Sequence, residues 1–502
     1  MARLPFRRWL LVVTLATASL VSPATGQEPT DPTPGERLSV REVTLDNGMR
    51  FLILPREGAP TASFVLRFGI GGVHEEPGQS GIVHLLEHML FKGTTTIGTE
   101  NLEAERALFT RMDAVHDTLL VARASGDSTE ISRLSERIEE LEDSARVHVQ
   151  SNAFDRILTR EGAQGINATT TSEATTYFME LPSNRTELWF VLEADRMQNP
   201  VFREFYSERS VVLEERRMRV DASPQGTLYE RFLATAFEEH PYGRPVVGHV
   251  RDLERISRRD LRAYHRRYYT PNNAVAVIVG DIDPDVVEGY AQRYFGELAA
   301  GEPPPAVTET EPPQEEERRV EVSWNAEPAL RIGWRVPSAF HEDAAAVEVL
   351  SSLLTGGRSS RLHRRLVTEE RVATSVYSSI GPGRRFPGLL QIDVTPRAPH
   401  TPKEIEALVY EEIARLRREG PTPEELERVR NQVAASSVRR MRSNLGLAFQ
   451  LAESESLWDD WRETFRGPER LHDLTLHEVR RAAERYLVEE GRTVALRLRE
   501  DS

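Results

Sequence analysis

His84, Glu87 and His88 stand close together in the run Gly81-Ile-Val-His-Leu-Leu-Glu-His-Met-Leu-Phe91. On an α-helix, residues four apart share a face, so the two imidazoles project side by side and can grip one cation. Glu87, beside His88, is placed to reach a water on that cation. His-x-x-Glu-His is the inverted zincin order, and imidazole and carboxylate donors suit zinc with one position left for water. The other positions, Ile82, Val83, Leu85, Leu86, Leu90 and Phe91, are apolar. Polar side chains on a helix that packs into a core are costly unless partners or a metal satisfy them. Ser80 as N-cap and Gly93 as stop predict a helix of about three turns.

A third ligand has to come from elsewhere. The chain has no Cys, so thiolate ligands, a Cys nucleophile and disulfides are all excluded. The segment Glu208-Arg-Ser-Val-Val-Leu-Glu-Glu215 predicts a helix, with Glu208 and Glu215 two turns apart on one face. From the residues alone, Glu214 and Glu215 are both candidates.

The elements that position these groups are spread over 502 residues, which suggests about three units at roughly 150 residues each. Acids outnumber bases by 79 to 64, a net charge of −15, which argues against a broad nucleic-acid surface. Arg3, Arg7 and Arg8 precede the apolar run from Trp9 to Val21, and Ala24-Thr25-Gly26 follows; this is the order of a secretory signal. The run is shorter than the roughly 20 residues that cross a bilayer. The chain is therefore expected to be exported, periplasmic or secreted, with residues 1–26 removed and no membrane span in the mature form. A flexible spacer is expected over 27–40 and an N-terminal domain over 41–298. A Pro-rich acidic linker follows over 299–318, then a C-terminal domain over 319–502.

Within the first domain, Val43-Thr-Leu, the turn Asp46-Asn47-Gly48 and Met49 to Leu54 predict a hairpin. Residues from about 103 to 149 read as a charged two-helix hairpin broken at Ala124 to Ser128, either a solvated spacer or a docking surface. The two halves end alike. Asp260 to Tyr268 followed by Ala274-Val-Ala-Val parallels Glu478 to Tyr486 followed by Thr493-Val-Ala-Leu.

The run Gly81 to Thr94 resembles the zinc helix of the pitrilysin or insulinase family, which includes the mitochondrial processing peptidase. Leu45-Asp-Asn-Gly-Met-Arg, Gly165-Ile-Asn-Ala-Thr-Thr, His240-Pro-Tyr-Gly-Arg-Pro, Tyr268-Tyr-Thr-Pro-Asn-Asn and Leu354-Thr-Gly-Gly-Arg-Ser-Ser-Arg-Leu362 are similar to its other landmarks, in order. The resemblance implies an α+β fold of two homologous domains, each an antiparallel-rich sheet packed with helices, forming a half clam shell with an inserted helical hairpin. It implies one Zn2+ per chain held by His84, His88 and Glu215, with Glu87 as general base. Glu208 would be a supporting carboxylate, and Asn167 and Ala168 would lie on a strand edge that accepts an extended peptide.

There are two departures from that pattern. Between His88 and Glu215 lie 126 residues, about 50 more than is usual for inverted zincins of this kind; the helical hairpin accounts for the excess. Lengthening a loop costs closure entropy only logarithmically. Second, ungapped alignment from Ser360-Arg361-Leu362 puts Val367 and Thr374 where the family carries an Arg and a Tyr that face the zinc site. A dimer with a homologous, non-identical subunit supplying that pair is the resulting expectation. The expected function is a zinc metalloendopeptidase subunit acting on peptides or unfolded segments; the alternative is a non-catalytic assembly subunit of the same fold.

Overall fold

Ala274-Val-Ala-Val-Ile-Val-Gly280 is buried at every position, so both faces of the sheet that holds it must be covered. The computed structural model describes residues 38–500; the expected signal segment and most of the expected spacer lie outside the described residues. The first half begins with strands β1 (Arg41–Thr44), β2 (Arg50–Pro55) and β3 (Thr61–Phe68). Helices α1 (Ile82–Met89), α2 (Leu102–Ser125), α3 (Ser128–Arg146) and α4 (Ala153–Arg160) follow, then β4 (Gln164–Thr170) and β5 (Thr175–Pro182). It closes with α5 (Thr186–Gln198), α6 (Phe205–Arg216), α7 (Pro224–Ala236), α8 (Val250–Leu253), α9 (Arg258–Tyr268), β6 (Ala274–Gly280) and α10 (Pro284–Phe295). The second half contains β7 (Arg318–Trp324), β8 (Ala329–Val336), α11 (Ala344–Thr355), β9 (Ala373–Gly381) and β10 (Gly388–Pro396). Helices α12 (Pro402–Glu419), α13 (Pro423–Arg440), α14 (Asn444–Trp458), α15 (Glu463–Asp473) and α16 (Leu476–Tyr486) lead to β11 (Arg492–Arg499).

The first sheet has the order β1-β2-β6-β3-β5-β4, the second β7-β11-β8-β10-β9. In each, one parallel pair (β2 with β6, β7 with β11) is followed only by antiparallel neighbours. Without β1 the two are the same topology. The matching helix-then-strand ends read in the sequence are α9 with β6 and α16 with β11, the equivalent positions of the two sheets. The fold is thus the expected α+β pair of homologous domains.

Each half lends a helix to the other. Leu447, Ala448, Leu451 and Ala452 of α14 pack on Leu52, Val65, Val275, Val277 and Val279 of the first sheet. In return, Leu228, Phe232, Leu233 and Ala236 of α7 join Ala329, Leu389 and Ala495 of the second sheet. The Pro-rich segment between β6-α10 and β7 is tied down as well. Glu311 accepts from the backbone N–H groups of Glu238, Glu239 and His240 at 3.1, 2.9 and 3.0 Å.

The charged hairpin, α2 with α3, is neither a solvated spacer nor a free arm. Phe109, Met112, Leu119, Leu134, Ile138 and Leu141 belong to the same buried cluster as Ile82, Leu85 and Leu86 of α1. Most of its charges lie outside, Glu105 and Glu142 being buried exceptions, and its apolar stripe extends the core of the first half.

Candidate metal centre

Helix α1 is shorter than the three turns expected, and Ser80 is not its cap. The N-cap is Gly81, at φ 88, where a Cβ would lie 2.8 Å from the Val247 carbonyl and from Gly248 Cα. A side chain there would push α1 off the loop that supports it. Ser80 Oγ instead donates to Asp252 at 2.5 Å and accepts from the His249 N–H at 2.9 Å. The capping carboxylate comes from Glu75, whose Oε1 accepts from Gly81 and Val83 N–H at 3.0 and 3.1 Å. Its other oxygen is buried without a partner, and burial pushes its pKa up to about 8 against those two hydrogen bonds.

From this helix, the rings of His84 and His88 stand 4.8 Å apart and nearly perpendicular, at 79°. Across from them, α6 contributes Glu208 and Glu215. His84 Nε2 is 3.7 Å from Glu215 Oε1, and His88 Nε2 is 3.3 Å from Glu215 Oε2. The three ligand atoms all lie within 4.8 Å of one another. His88 Nδ1 donates to Glu208 Oε1 at 2.9 Å, which leaves the Nε2 lone pair aimed at Glu215. Glu208 is held in turn by Lys92 Nζ at 2.5 Å. Glu214, one residue from Glu215 and so about 100° round the helix, is half exposed and pairs with Arg217 at 2.5 Å.

The electrostatics suit a cation. Burial, with His88 and Arg219 adding to it, drives the His84 imidazole down to about 3, so it is neutral and a donor of electrons. Its Nδ1 is buried without a partner; a cation on Nε2 would leave the proton there. For His88, burial works against the charged form but Glu208 and Glu215 outweigh it, and its pKa is raised. Burial raises the Glu208 carboxyl, yet His88 and Lys92 hold it below the ordinary range. Two imidazoles and a carboxylate converging at this spacing form a donor set that fits zinc, whose bonds to N and O are about 2.0–2.2 Å.

Glu87 is buried beside the three, and the Thr170 hydroxyl donates to its Oε2. Burial raises the Glu87 carboxyl, the Thr170 hydrogen bond and His88 opposing. Thr170 ends β4, the terminal strand of the first sheet. On the same strand Asn167 is exposed and Ala168 buried, paired with Phe178 and Tyr177 of β5. Asn167, Glu87, His88, Lys92, Ile166 and Glu208 line one open cleft of about 350 Å³. Val367 packs against the core of the second half, and Thr374 Oγ1 donates to the Thr395 carbonyl at 3.2 Å. Glu75, Lys92, Thr170 and Arg219, which pairs with Glu215 at 2.6 Å, were not singled out by sequence reasoning. Thr170 and Lys92 act through partners that the fold brings to them; Arg219, four residues after Glu215, carries a local signal.

Two matched halves around an inverted His-x-x-Glu-His helix define a metallopeptidase-like architecture, and comparison with known proteins makes the class specific. The model of the insulinase family (peptidase family M16) matches residues 50–109 and 144–250, and that of the M16 inactive domain matches 255–433. The chain belongs to the M16, or insulinase, family. It is 30% identical over 348 residues to "zinc protease PqqE" of Helicobacter pylori, covering 67% of this chain and 65% of that relative's own length. It is 25% identical over 443 residues to "uncharacterized zinc protease YmxG" of Bacillus subtilis, covering 88% and 92%. A crystal structure of a protease from Helicobacter pylori superposes with a TM-score of 0.78 at 24% identity, over 92% of this chain and all of that one. The first half of the periplasmic protease PqqL from Escherichia coli gives 0.68 at 18%, covering 91% and 92%. Among the described residues no helix is long and apolar enough to cross a membrane.

Proposed function

We infer that the chain is a zinc-dependent metalloendopeptidase subunit that hydrolyses peptides or unfolded segments. The observation that carries this reading is the convergence of His84, His88 and Glu215 from two helices, with the Glu87 carboxyl beside them. His84, His88 and Glu215 would hold one Zn2+, which when bound supplies Lewis-acid polarisation and an acidified water. Glu87 then takes a proton from the attacking water and returns it to the leaving amine nitrogen. Its raised pKa suits that two-way transfer, and Thr170 holds one of its oxygens so that the other faces the reacting atoms. An extended peptide adds to the free edge of β4 along Asn167 and Ala168. Backbone hydrogen bonds then supply much of the affinity and side-chain preference stays loose.

Export, to the periplasm or beyond, is part of the proposal, on the charged-apolar-small order of residues 1–26. So is a homologous partner. The aligned Val367 and Thr374 cannot donate the charged and phenolic hydrogen bonds that steady an oxyanion, so a second subunit would supply an Arg and a Tyr. Metal analysis with cleavage of an unfolded reporter, with and without chelator and with and without the partner, tests the reading. Zinc at one per chain and chelator-sensitive cleavage support it. Zinc without cleavage in either setting favours the non-catalytic subunit, and a purified chain as fast alone as with its partner removes the need for one.

A further inference from the structure

Helix α6, which carries Glu208 and Glu215, has no cap of its own. Its N-cap residue, Glu204, sits at φ 56 and its side chain caps nothing. The first N–H groups of a helix have no partner within it and need one from outside. Here that partner is Glu142 of α3, 62 positions earlier in the chain. Its Oε1 accepts from the Tyr206 and Ser207 N–H groups at 3.0 and 3.1 Å, and its Oε2 accepts from Ser207 Oγ at 2.5 Å. A carboxylate at this end also complements the helix dipole.

Glu142 is not isolated. Tyr206 Oη donates to Asp113 of α2 at 3.1 Å, and Arg209 Nη1 lies 2.9 Å from His116 Nε2. Asp113 also pairs with Arg258 of α9, which is fully buried. The contacts of Glu142, Asp113 and His116 with Tyr206, Ser207 and Arg209 converge on the first turn and a half of α6, and Glu208 lies within that stretch. The hairpin residues that make them, Asp113, His116 and Glu142, fall in 110–143, the stretch that the family model leaves unmatched.

We propose that the inserted hairpin is a clamp for the metal-bearing helix, with Glu142 as its positioning residue: by fixing the start of α6 it sets where Glu208 and Glu215 meet His88 and His84. The proposal rests on reading those residues as a zinc site. Fraying of the first turn would release Glu208 first, then the orientation of the His88 ring that Glu208 holds.

The test is zinc affinity, by titrating zinc against a chromogenic chelator, on the full chain and on Glu142→Ala, Glu142→Gln and Leu134→Ala. Leu134 is buried in the hairpin's apolar stripe and takes no part in the hydrogen bonds to α6, so its truncation weakens the insertion without removing any of them. Supporting contacts of metal ligands are worth roughly 10–100-fold in affinity. Glu142→Ala should therefore bind zinc roughly 10–100-fold more weakly. Glu142→Gln, which keeps an acceptor oxygen but no charge, should fall between it and the parent. Leu134→Ala should match the parent despite a lower melting temperature. If Glu142→Ala does not fold, Glu142→Gln decides: weaker zinc binding than Leu134→Ala supports the clamp, equal binding overturns it. A parent that binds zinc and a Glu142→Ala variant that binds it equally well overturn the clamp alone. A parent that takes up no zinc overturns the site reading and the clamp with it.

Discussion

Seven residues along an α-helix make nearly two turns, which is why Glu208 and Glu215 approach the imidazoles of α1 from one side while Glu214 points to solvent. That periodicity also marks what the sequence could and could not say. His84, Glu87 and His88 are legible from spacing on one short helix, but the choice of Glu215 over Glu214 needed either the family resemblance or the fold. Glu215→Gln should abolish stoichiometric zinc uptake, whereas Glu214→Gln should leave it intact, because Glu214 pairs only with the exposed Arg217. Equal loss in both variants would show that the wrong carboxylate had been chosen. Glu87→Gln should keep its zinc and lose roughly 10²–10⁴-fold in kcat, the usual worth of a positioned acid–base. Zinc content and reporter cleavage measured on one preparation separate the two roles.

At the scale of elements, both helices that carry the candidate ligands are capped by carboxylates from elsewhere in the chain, α1 by Glu75 and α6 by Glu142. Local capping rules point to Ser80 and leave α6 without a cap. A cap that arrives through tertiary structure has no fixed offset to read. The Glu75 cap has a consequence for stability. A carboxyl whose pKa is raised from 4.5 to about 8 in the fold favours the protonated state there. Its contribution is complete below the unfolded pKa and is lost as pH rises toward the folded one. The parent, kept in chelator, should lose melting temperature between about pH 5 and pH 8 relative to Glu75→Gln. The amide keeps an acceptor for Gly81 and Val83 and does not titrate. Parallel curves for the two proteins would mean that Glu75 is ionised throughout this range.

The whole molecule is two copies of one topology that have exchanged helices. Duplication was legible, faintly, in the repeated helix-to-strand ends that became α9-β6 and α16-β11. The exchange was not, because an amphipathic helix announces an apolar face without saying which sheet it will cover. Phe232 of α7 and Leu451 of α14 are each fully buried on the sheet of the opposite half. Truncating either to Ala removes apolar contact and leaves a cavity, a loss of about 2–5 kcal/mol. Because the contact spans both halves, that loss should not stay where the residue is numbered. In Leu451→Ala, hydrogen exchange should quicken by similar factors in β6 of the first half and β10 of the second, and calorimetry should record one transition at a lower temperature. Two transitions, or protection lost from one sheet alone, would mean that the halves unfold separately and that the helix exchange does not couple the half with the candidate metal centre to the other.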